Sequence, residues 1–547
     1  MYKINEYWYD PERLIFFKDD LSPEDLEVIQ TEIRDNSDYN VLRRKLDCYD
    51  PNNVQLQPGE LAGAGICLTK NCNLRCNYCC DSSSEGKEEH LCIKDIEVFI
   101  KDLVKRWAIH HLIVDDDVPL LIYFTGGGEP TYKWELLTES IHLIEEICEV
   151  NDIPYSLGIT TNGVLNREQL EFISKYFDTI MISYDGLPEI QNKNRISPHL
   201  DETASIVSES IKYLSKRNPH VTVRTTIWQD NLYLLREMAN HIFSEFPDIQ
   251  EWSVLPVTPT GRALKKVFKE QDLLNRCDFL DYYIGAKEFV EQKFKVDKIT
   301  TALFPNSLTK YFCSALTFSC KCPWLLQDGK IITCMEPCDF KTVIGEIKDH
   351  KLIYYKSCSD PLLGAYQKKF MECKDCIAYR FCKGGCPAKQ LMNNGIQTSM
   401  DDWQCNSIRR YWEYLFTRLL SGEGCFGWKL SPIESNKLRK YNILKLVEEK
   451  SNPNITNAEL KVIKTIRLDN KMIVHLPKTN KIIELNGNTA KIWDIIVHMG
   501  RYTSTIESIT EAVAREFKDC NLSSCEIQKC VEQLSDLYKS ELGDCVP

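Results

Sequence analysis

Cys72-Asn-Leu-Arg-Cys76-Asn-Tyr-Cys79 stands just past an apolar run at 62–68, and this C-x3-C-x2-C stretch decides how the rest of the chain reads. Three thiolates this close in sequence, on a loop, can hold three irons of a 4Fe–4S cluster. The run supplies no fourth ligand, so one iron is left open to bind something else. From about 61 to 258 the pattern alternates between strand and helix, with further apolar runs at 119–125, 155–161, 179–184, 220–228 and 251–257. Helical periodicity lies between them, clearest at Ile93, Ile96, Ile100, Leu103 and Trp107. Continuous apolar strands separated by amphipathic helices predict an α/β fold, a parallel sheet covered on its outer face. Six such units make a partial (β/α)6 TIM-like barrel, and function in barrels gathers at the C-terminal strand ends. The cysteine loop follows the first strand, where that rule places it.

Composition narrows the choices. No apolar run approaches the length of a membrane-spanning helix, and the N-terminus MYKINEYWYD lacks the basic start and apolar core of a secretory signal. These features predict a cytoplasmic protein with no membrane partner. The net charge of −12 disfavours a nucleic-acid partner, which needs clustered Lys and Arg. Residues 1–60 hold 7 Lys+Arg against 14 Asp+Glu, so most of that charge sits in the leading segment. Twenty-five cysteines in 547 residues are too sparse for a small disulfide scaffold, and their ligand-like spacing favours metal.

Three more motifs each follow a predicted strand: Gly127-Gly128-Glu129-Pro130 after the second, Thr160–Gly163 (TTNG) after the third, and Ser183-Tyr-Asp185-Gly186 after the fourth. Glycines let backbone approach a ligand closely, a carboxylate takes an ammonium, and Asn, Ser and Asp suit hydroxyls. With these motifs in place the chain resembles the radical S-adenosylmethionine (SAM) enzymes. The resemblance implies that Cys72, Cys76 and Cys79 hold a 4Fe–4S cluster and that SAM chelates its open iron. An electron from an external flavodoxin- or ferredoxin-type donor then cleaves SAM to a 5′-deoxyadenosyl radical, which abstracts a substrate hydrogen. It also implies that Tyr78 packs near the adenine and that Gly127, Gly128 and Glu129 hold the methionine amino group. Asn162, Ser183 and Asp185 face ribose or carboxylate, and Arg195 pairs the carboxylate. The one departure is an extra glycine, Gly126, ahead of GGEP. A zinc knuckle is the competing reading of the cysteines. Zinc calls for four ligands in paired spacing and leaves the other three motifs unexplained.

A second set is Cys373-x2-Cys376-x5-Cys382-x3-Cys386, preceded by Gly329-x4-Cys334 and followed by Cys405, with Cys313 and Cys320 upstream. It resembles the SPASM extension of radical SAM peptide and protein maturases. That pattern implies two auxiliary 4Fe–4S clusters, one on Cys313, Cys320, Cys334 and Cys386, the other on Cys373, Cys376, Cys382 and Cys405. Cys322 competes with Cys320 or Cys313 for the first. Two four-cysteine zinc sites are the alternative. Sulfatase maturases carry an Asp, the general base of formylglycine formation, directly after the cysteine matching Cys334. Met335 stands there instead, which argues against that chemistry.

The expected organisation is an acidic segment at 1–60 with a helix around Ser22–Ile33, the barrel at 61–265 and a helical linker at 266–312. A cysteine-rich, irregular SPASM iron–sulfur domain follows at 313–430, then a linker at 431–458 and a small α+β winged-helix-like domain at 459–547. In the last, alternation at Met472-x-Val474-x-Leu476 and Ile483-x-Leu485 flanks a turn at Pro477–Asn480. Helices follow over Thr489–Met499, from Ser504 with Glu507, and from Ser523 with Glu526. IIELNGNTAKIWDII resembles the PqqD-like recognition domain, which implies that a precursor peptide's leader joins the sheet edge. The alternative is a domain that merely packs against the body. Together these readings predict a maturase that cross-links a ribosomally made peptide through a thioether or carbon–carbon bond. The alternatives are an oxidative maturase of a folded protein or quinone precursor, or a non-catalytic iron–sulfur carrier or scaffold.

Overall fold

All six apolar runs become strands in the computed structural model of the chain. It describes residues 2–10, 14–35, 63–85, 89–114, 118–257, 261–266, 276–304, 322–332, 343–355, 376–382, 402–423, 428–432, 444–448, 464–468, 471–476, 481–500, 510–514 and 524–542. The chain opens with three short antiparallel strands, β1 (Tyr2–Ile4), β2 (Tyr7–Asp10) and β3 (Ile15–Lys18), and then α1 (Pro23–Asp35). Ser22 caps α1 as its sequence predicts: Asp25 N–H donates to Ser22 Oγ at 3.1 Å.

The barrel strands are β4 (Ala64–Ile66), β5 (Leu120–Phe124), β6 (Tyr155–Thr161), β7 (Thr179–Ser183), β8 (Val221–Ile227) and β9 (Glu251–Pro256). They pair in that order, every pair parallel. The helices between them include α2 (Ile93–Val114), α3 (Trp134–Val150), α4 (Arg167–Tyr176), α5 (Pro188–Asn194), α6 (Ala204–Ser215) and α7 (Leu235–Glu245). Ile66, Phe124, Ile159, Ile180 and Val221 lie in register on one face of the sheet and are buried in the main core with Ile96, Ile100 and Leu103 of α2. The opposite face carries Gly65, Tyr123, Gly158 and Thr179 in register, and Tyr123 is exposed. The first face is therefore sealed, while on the other the Trp324 and Tyr123 rings lie over Gly65 and Gly158.

Several expectations change. The segment 266–312 is more than a linker: after α8 (Gly261–Lys266) and α9 (Arg276–Phe294), β10 (Ile299–Thr300) pairs parallel with β9 and extends the sheet. On the other side, β11 (Trp324–Leu325) pairs parallel with β4, followed by antiparallel β12 (Lys330–Ile332), β13 (Val343–Lys348) and β14 (Lys351–Tyr354). The stretch expected to be irregular thus continues the barrel sheet, because the free edge of β4 offers unpaired backbone groups and Gly65 leaves room for the Trp324 ring. Further on, α10 (Asp402–Leu420) buries Tyr411, Trp412, Leu415 and Phe416 in the main core. The supposed linker at 431–458 supplies β16 (Leu444–Glu448), which pairs with β15 (Trp428–Pro432) and with β3. The acidic N-terminal segment and that linker therefore share one sheet.

The C-terminal unit has an antiparallel sheet, β17 (Lys464–Leu468), β18 (Lys471–Leu476) and β19 (Lys481–Asn486), with α11 (Gly487–Gly500) and α12 (Ser524–Leu542). Met472, Val474, Leu476 and Leu485 join Trp493, Ile496, Val513, Ile527, Val531 and Leu534 in a separate core, as the alternation predicts. Ile473 and Leu468 belong instead to the core of the main body. The expected turn at Pro477–Asn480 and the Ser504 and Ser523 helix starts lie outside the described residues. Among the described residues no helix is long and apolar enough to cross a membrane.

Candidate active site

The four motif loops leave the C-terminal ends of four neighbouring strands, β4 to β7, and the first two close on one another through backbone bonds. Gly128 N–H donates to Thr69 O (2.9 Å) and Glu129 N–H to Asn71 O (2.8 Å), lacing the glycine loop to the cysteine loop. Gly126 and Gly127 sit at φ 80° and 67°, the left-handed region that glycine adopts freely. Gly128 is required for a different reason: a Cβ there would run into the carbonyl of Asn71. Gly128→Ala should therefore push the two loops apart and cost roughly 1–3 kcal/mol. Gly285→Ala in α9, where a Cβ meets nothing within 4 Å, should be tolerated. Iron content after reconstitution separates the two, falling only for the first.

Glu129 is buried and its carboxylate is fully engaged. Oε1 accepts from Thr131 N–H (3.2 Å), Thr131 Oγ1 (2.9 Å) and Thr161 Oγ1 (2.8 Å), and Oε2 accepts from Asn162 N–H (2.7 Å). Burial raises its pKa and these donors oppose the rise. Glu129 thus fastens the loop after β5 to the loop after β6. Asn162 passes this order to the cysteines. Its Nδ2 donates to Asn73 Oδ1 (2.6 Å) and lies 3.7 Å from Cys72 Sγ, while its Oδ1 accepts from Val164 N–H (3.0 Å).

Tyr78, Asp185 and Arg195 form a second buried group. The Tyr78 hydroxyl donates to Asp185 Oδ2, and Arg195 Nε donates to Asp185 Oδ1 at 3.0 Å. The Arg195 guanidinium also lies 5.4 Å from the Tyr78 ring centroid. Burial raises the Tyr78 pKa well above its ordinary value, so the phenol stays protonated and donating. Burial opposes the Arg195 charge, but the Asp185 carboxylate outweighs it and holds the guanidinium ionised. Asp185 therefore spends both oxygens on the chain's own groups and positions them. Ser183 ends β7 and is half-buried.

The cysteine loop is pinned from several directions that its own sequence does not announce. Arg262, buried at the start of α8, donates from Nε to Cys76 O (2.9 Å) and from Nη1 to Ser83 O (3.0 Å); its N–H donates to Cys79 O (2.9 Å). Cys72 N–H donates to Ser84 Oγ (2.8 Å), and the Ser83 hydroxyl donates to Gly127 O. Cys72 Sγ accepts from Leu74 N–H (3.4 Å) and Cys79 Sγ from Ser83 N–H (3.4 Å). Burial first, then Glu129 and Cys76, pushes the Cys72 thiol up to about 12, and burial pushes Cys76 up to about 11. Cys72 and Cys76, which resist ionisation alone, and the N–H donors aimed at Cys72 and Cys79 suit a bound cationic iron core that stabilises thiolates.

The sequence model of the Radical SAM superfamily matches residues 66–230, the span that holds all four motif loops. The chain carries a radical SAM domain. A cysteine-type anaerobic sulfatase-maturating enzyme of Clostridium perfringens is 24% identical over 373 residues, 64% of this chain and 95% of the relative. A tungsten-containing aldehyde ferredoxin oxidoreductase cofactor-modifying protein of Pyrococcus furiosus is 29% identical over 202 residues, 35% of this chain and 51% of the relative. Among solved structures, native anSMEcpe with bound AdoMet matches with a TM-score of 0.53 at 19% identity, covering 66% of this chain and 98% of that one. The radical SAM domain is thus homologous to that of maturating enzymes, and its family implies SAM and a 4Fe–4S cluster.

Of the expected auxiliary ligands, Cys313, Cys320, Cys334, Cys373 and Cys386 lie outside the described residues, as does Met335. Cys376, Cys382 and Cys405 are described and half-buried against the main core. Cys376 hydrogen-bonds Arg409, which stands one turn along α10 from Cys405. Cys322 is half-buried, and burial pushes its thiol up to about 11.

Proposed function

We propose that this chain is a radical SAM maturase that installs a thioether or carbon–carbon cross-link in a ribosomally made precursor peptide. The observation that carries the reading is the convergence of a three-cysteine loop, the GGE loop, Asn162 and the Tyr78–Asp185–Arg195 group at one end of four adjacent parallel strands. A cluster bound there would supply the reducing electron for SAM cleavage. Cys72, Cys76 and Cys79 would ligate the cluster. The glycine loop, held by Glu129, would present its backbone to the methionine end, with Ser183 and the Asn162 loop lining the same mouth. Arg195, kept ionised by Asp185, would supply the positive charge beside a carboxylate, and the Tyr78 ring would flank the adenine. The grouping of Cys376 with Cys405 supports the second auxiliary cluster, and two auxiliary clusters would give the surplus substrate electron somewhere to go.

The C-terminal unit fits peptide delivery for a physical reason. One face of its sheet is covered by its own helices, and Ile473 and Leu468 on the other pack into the main body. Both faces being covered, an added peptide strand must join an edge, and β19 is an edge among the described strands. Glu484 on β19 pairs with Lys105 of α2 and with Lys471 (2.7 Å), which ties that edge to the barrel. Homology to a sulfatase-maturating enzyme offers formylglycine formation as a second reading, and Met335 at the general-base position stands against it.

The two are separated by mass spectrometry of a cysteine-containing precursor co-expressed with the enzyme. A cross-link removes two hydrogens and keeps every sulfur, whereas formylglycine formation from cysteine expels the sulfur. Loss of sulfur, or an unmodified peptide, would sink the cross-linking reading.

A further inference from the structure

Cys92, Asp95 and His350, none of them assigned to a cluster, gather a sulfur, a carboxylate oxygen and an imidazole nitrogen within 4.8 Å of one another. Cys92 and Asp95 stand at the start of α2, and His350 lies in the two-residue turn that joins β13 to β14. Cys92 Sγ is 3.1 Å from Asp95 Oδ2, and His350 Nδ1 is 2.8 Å from Asp95 Oδ1 and 3.9 Å from Cys92 Sγ.

We propose that these three side chains bind a divalent cation of the zinc class, as a staple between the first barrel helix and the β13–β14 hairpin. The donor set selects the cation. A thiolate and an imidazole favour zinc-like metals over the oxygen-seeking magnesium and calcium. Three protein ligands leave a fourth tetrahedral position for water. A nucleophilic cysteine–histidine pair is a poorer account, because a single ring nitrogen, Nδ1, faces both Asp95 and Cys92. A relay needs one nitrogen for the thiol proton and the other for the carboxylate.

The turn is a second observation. Asp349 and His350 sit at φ 49° and 57°, the conformation of a tight hairpin turn that glycine favours at its second residue. The chain keeps a histidine where glycine would relax the backbone, and strain of this kind is retained where the side chain is needed. The hairpin is already docked on α2. Tyr354 Oη donates to Asp102 Oδ2 (2.7 Å), Arg106 Nε donates to the same oxygen (2.7 Å), and the Arg106 guanidinium lies 4.4 Å from the Tyr354 ring centroid. The ligands are thus set before any cation arrives, and on binding Cys92 gives up its thiol proton to solvent.

The test titrates zinc into the full chain by calorimetry, after anaerobic cluster reconstitution and removal of loose metal, with iron and sulfide assayed before and after. Wild type is compared with His350→Gly, which removes a ligand while relaxing the turn, and with Cys92→Ser. The expected result is one zinc equivalent in wild type, weakened roughly tenfold or more in either variant, with no loss of iron or sulfide. Zinc should raise the thermal midpoint of wild type and leave that of His350→Gly unmoved. Equal stoichiometry and affinity in all three proteins, or no zinc uptake beyond cluster displacement, overturns the proposal.

Discussion

Cys76→Ala should yield a chain that forms no detectable 5′-deoxyadenosine and retains about four fewer irons than wild type. Cys76 sits in the middle of the loop, with its carbonyl held by Arg262 and its sulfur within electrostatic reach of Cys79, Asp185 and Arg195. Two remaining thiols cannot hold a cubane whose fourth iron is already given over to SAM. Any iron on the auxiliary cysteines should remain, because those residues lie elsewhere in the chain. Cys80→Ser is the matched control. Cys80 is the next cysteine along, but its thiol faces Asp81 Oδ2 at 3.7 Å and it falls outside the C-x3-C-x2-C spacing. Iron analysis and chromatography of the nucleoside product should leave the Cys80 variant near wild type. If both variants lose the same iron, the assigned ligand set is wrong.

Asp185→Asn should be the most damaging change that leaves the cysteines intact. Asp185 is fully buried and Arg195 is 7% exposed, so removing the carboxylate leaves a guanidinium out of water without its counter-charge. Breaking such a pair costs about 3–5 kcal/mol, more than replacing both partners by apolar residues. Tyr78 loses its strongest acceptor in the same step. The expected outcome is a large fall in stability to chemical denaturation and a SAM affinity lowered by about a hundredfold or more. The double variant Asp185→Leu/Arg195→Met should recover most of the stability and none of the SAM affinity. Recovery of both would reduce this group to a structural ion pair.

The parallel sheet was legible because its strands are short continuous apolar runs and its motifs follow them at fixed positions. Asn162, Ser183, Asp185 and the GGE loop all lie at the mouth where the strand pattern put them. What the sequence hid was mostly long-range. Nothing near Ile15–Lys18 signals that it will pair with Leu444–Lys445, more than four hundred residues away. Two-residue strands such as Ile299–Thr300 are too short to show periodicity. The cysteine-rich stretch masked β11 to β14, whose formation depends on the free edge of β4. Arg262 gave no signal at all, since its role is defined by the carbonyls it meets. The roles of Glu129 and Asp185 were also sharpened. Their chemistry suggested direct ligand contacts, whereas their oxygens are taken up in holding neighbouring loops and side chains.

The proposed function makes the loop at Cys72–Cys79 a radical source. The direct measurement is anaerobic reconstitution with iron and sulfide, addition of SAM and dithionite, and quantification of 5′-deoxyadenosine. 5′-Deoxyadenosine should form, and its formation should require both the reductant and all three loop cysteines. A fully loaded, reduced protein that leaves SAM intact would contradict it.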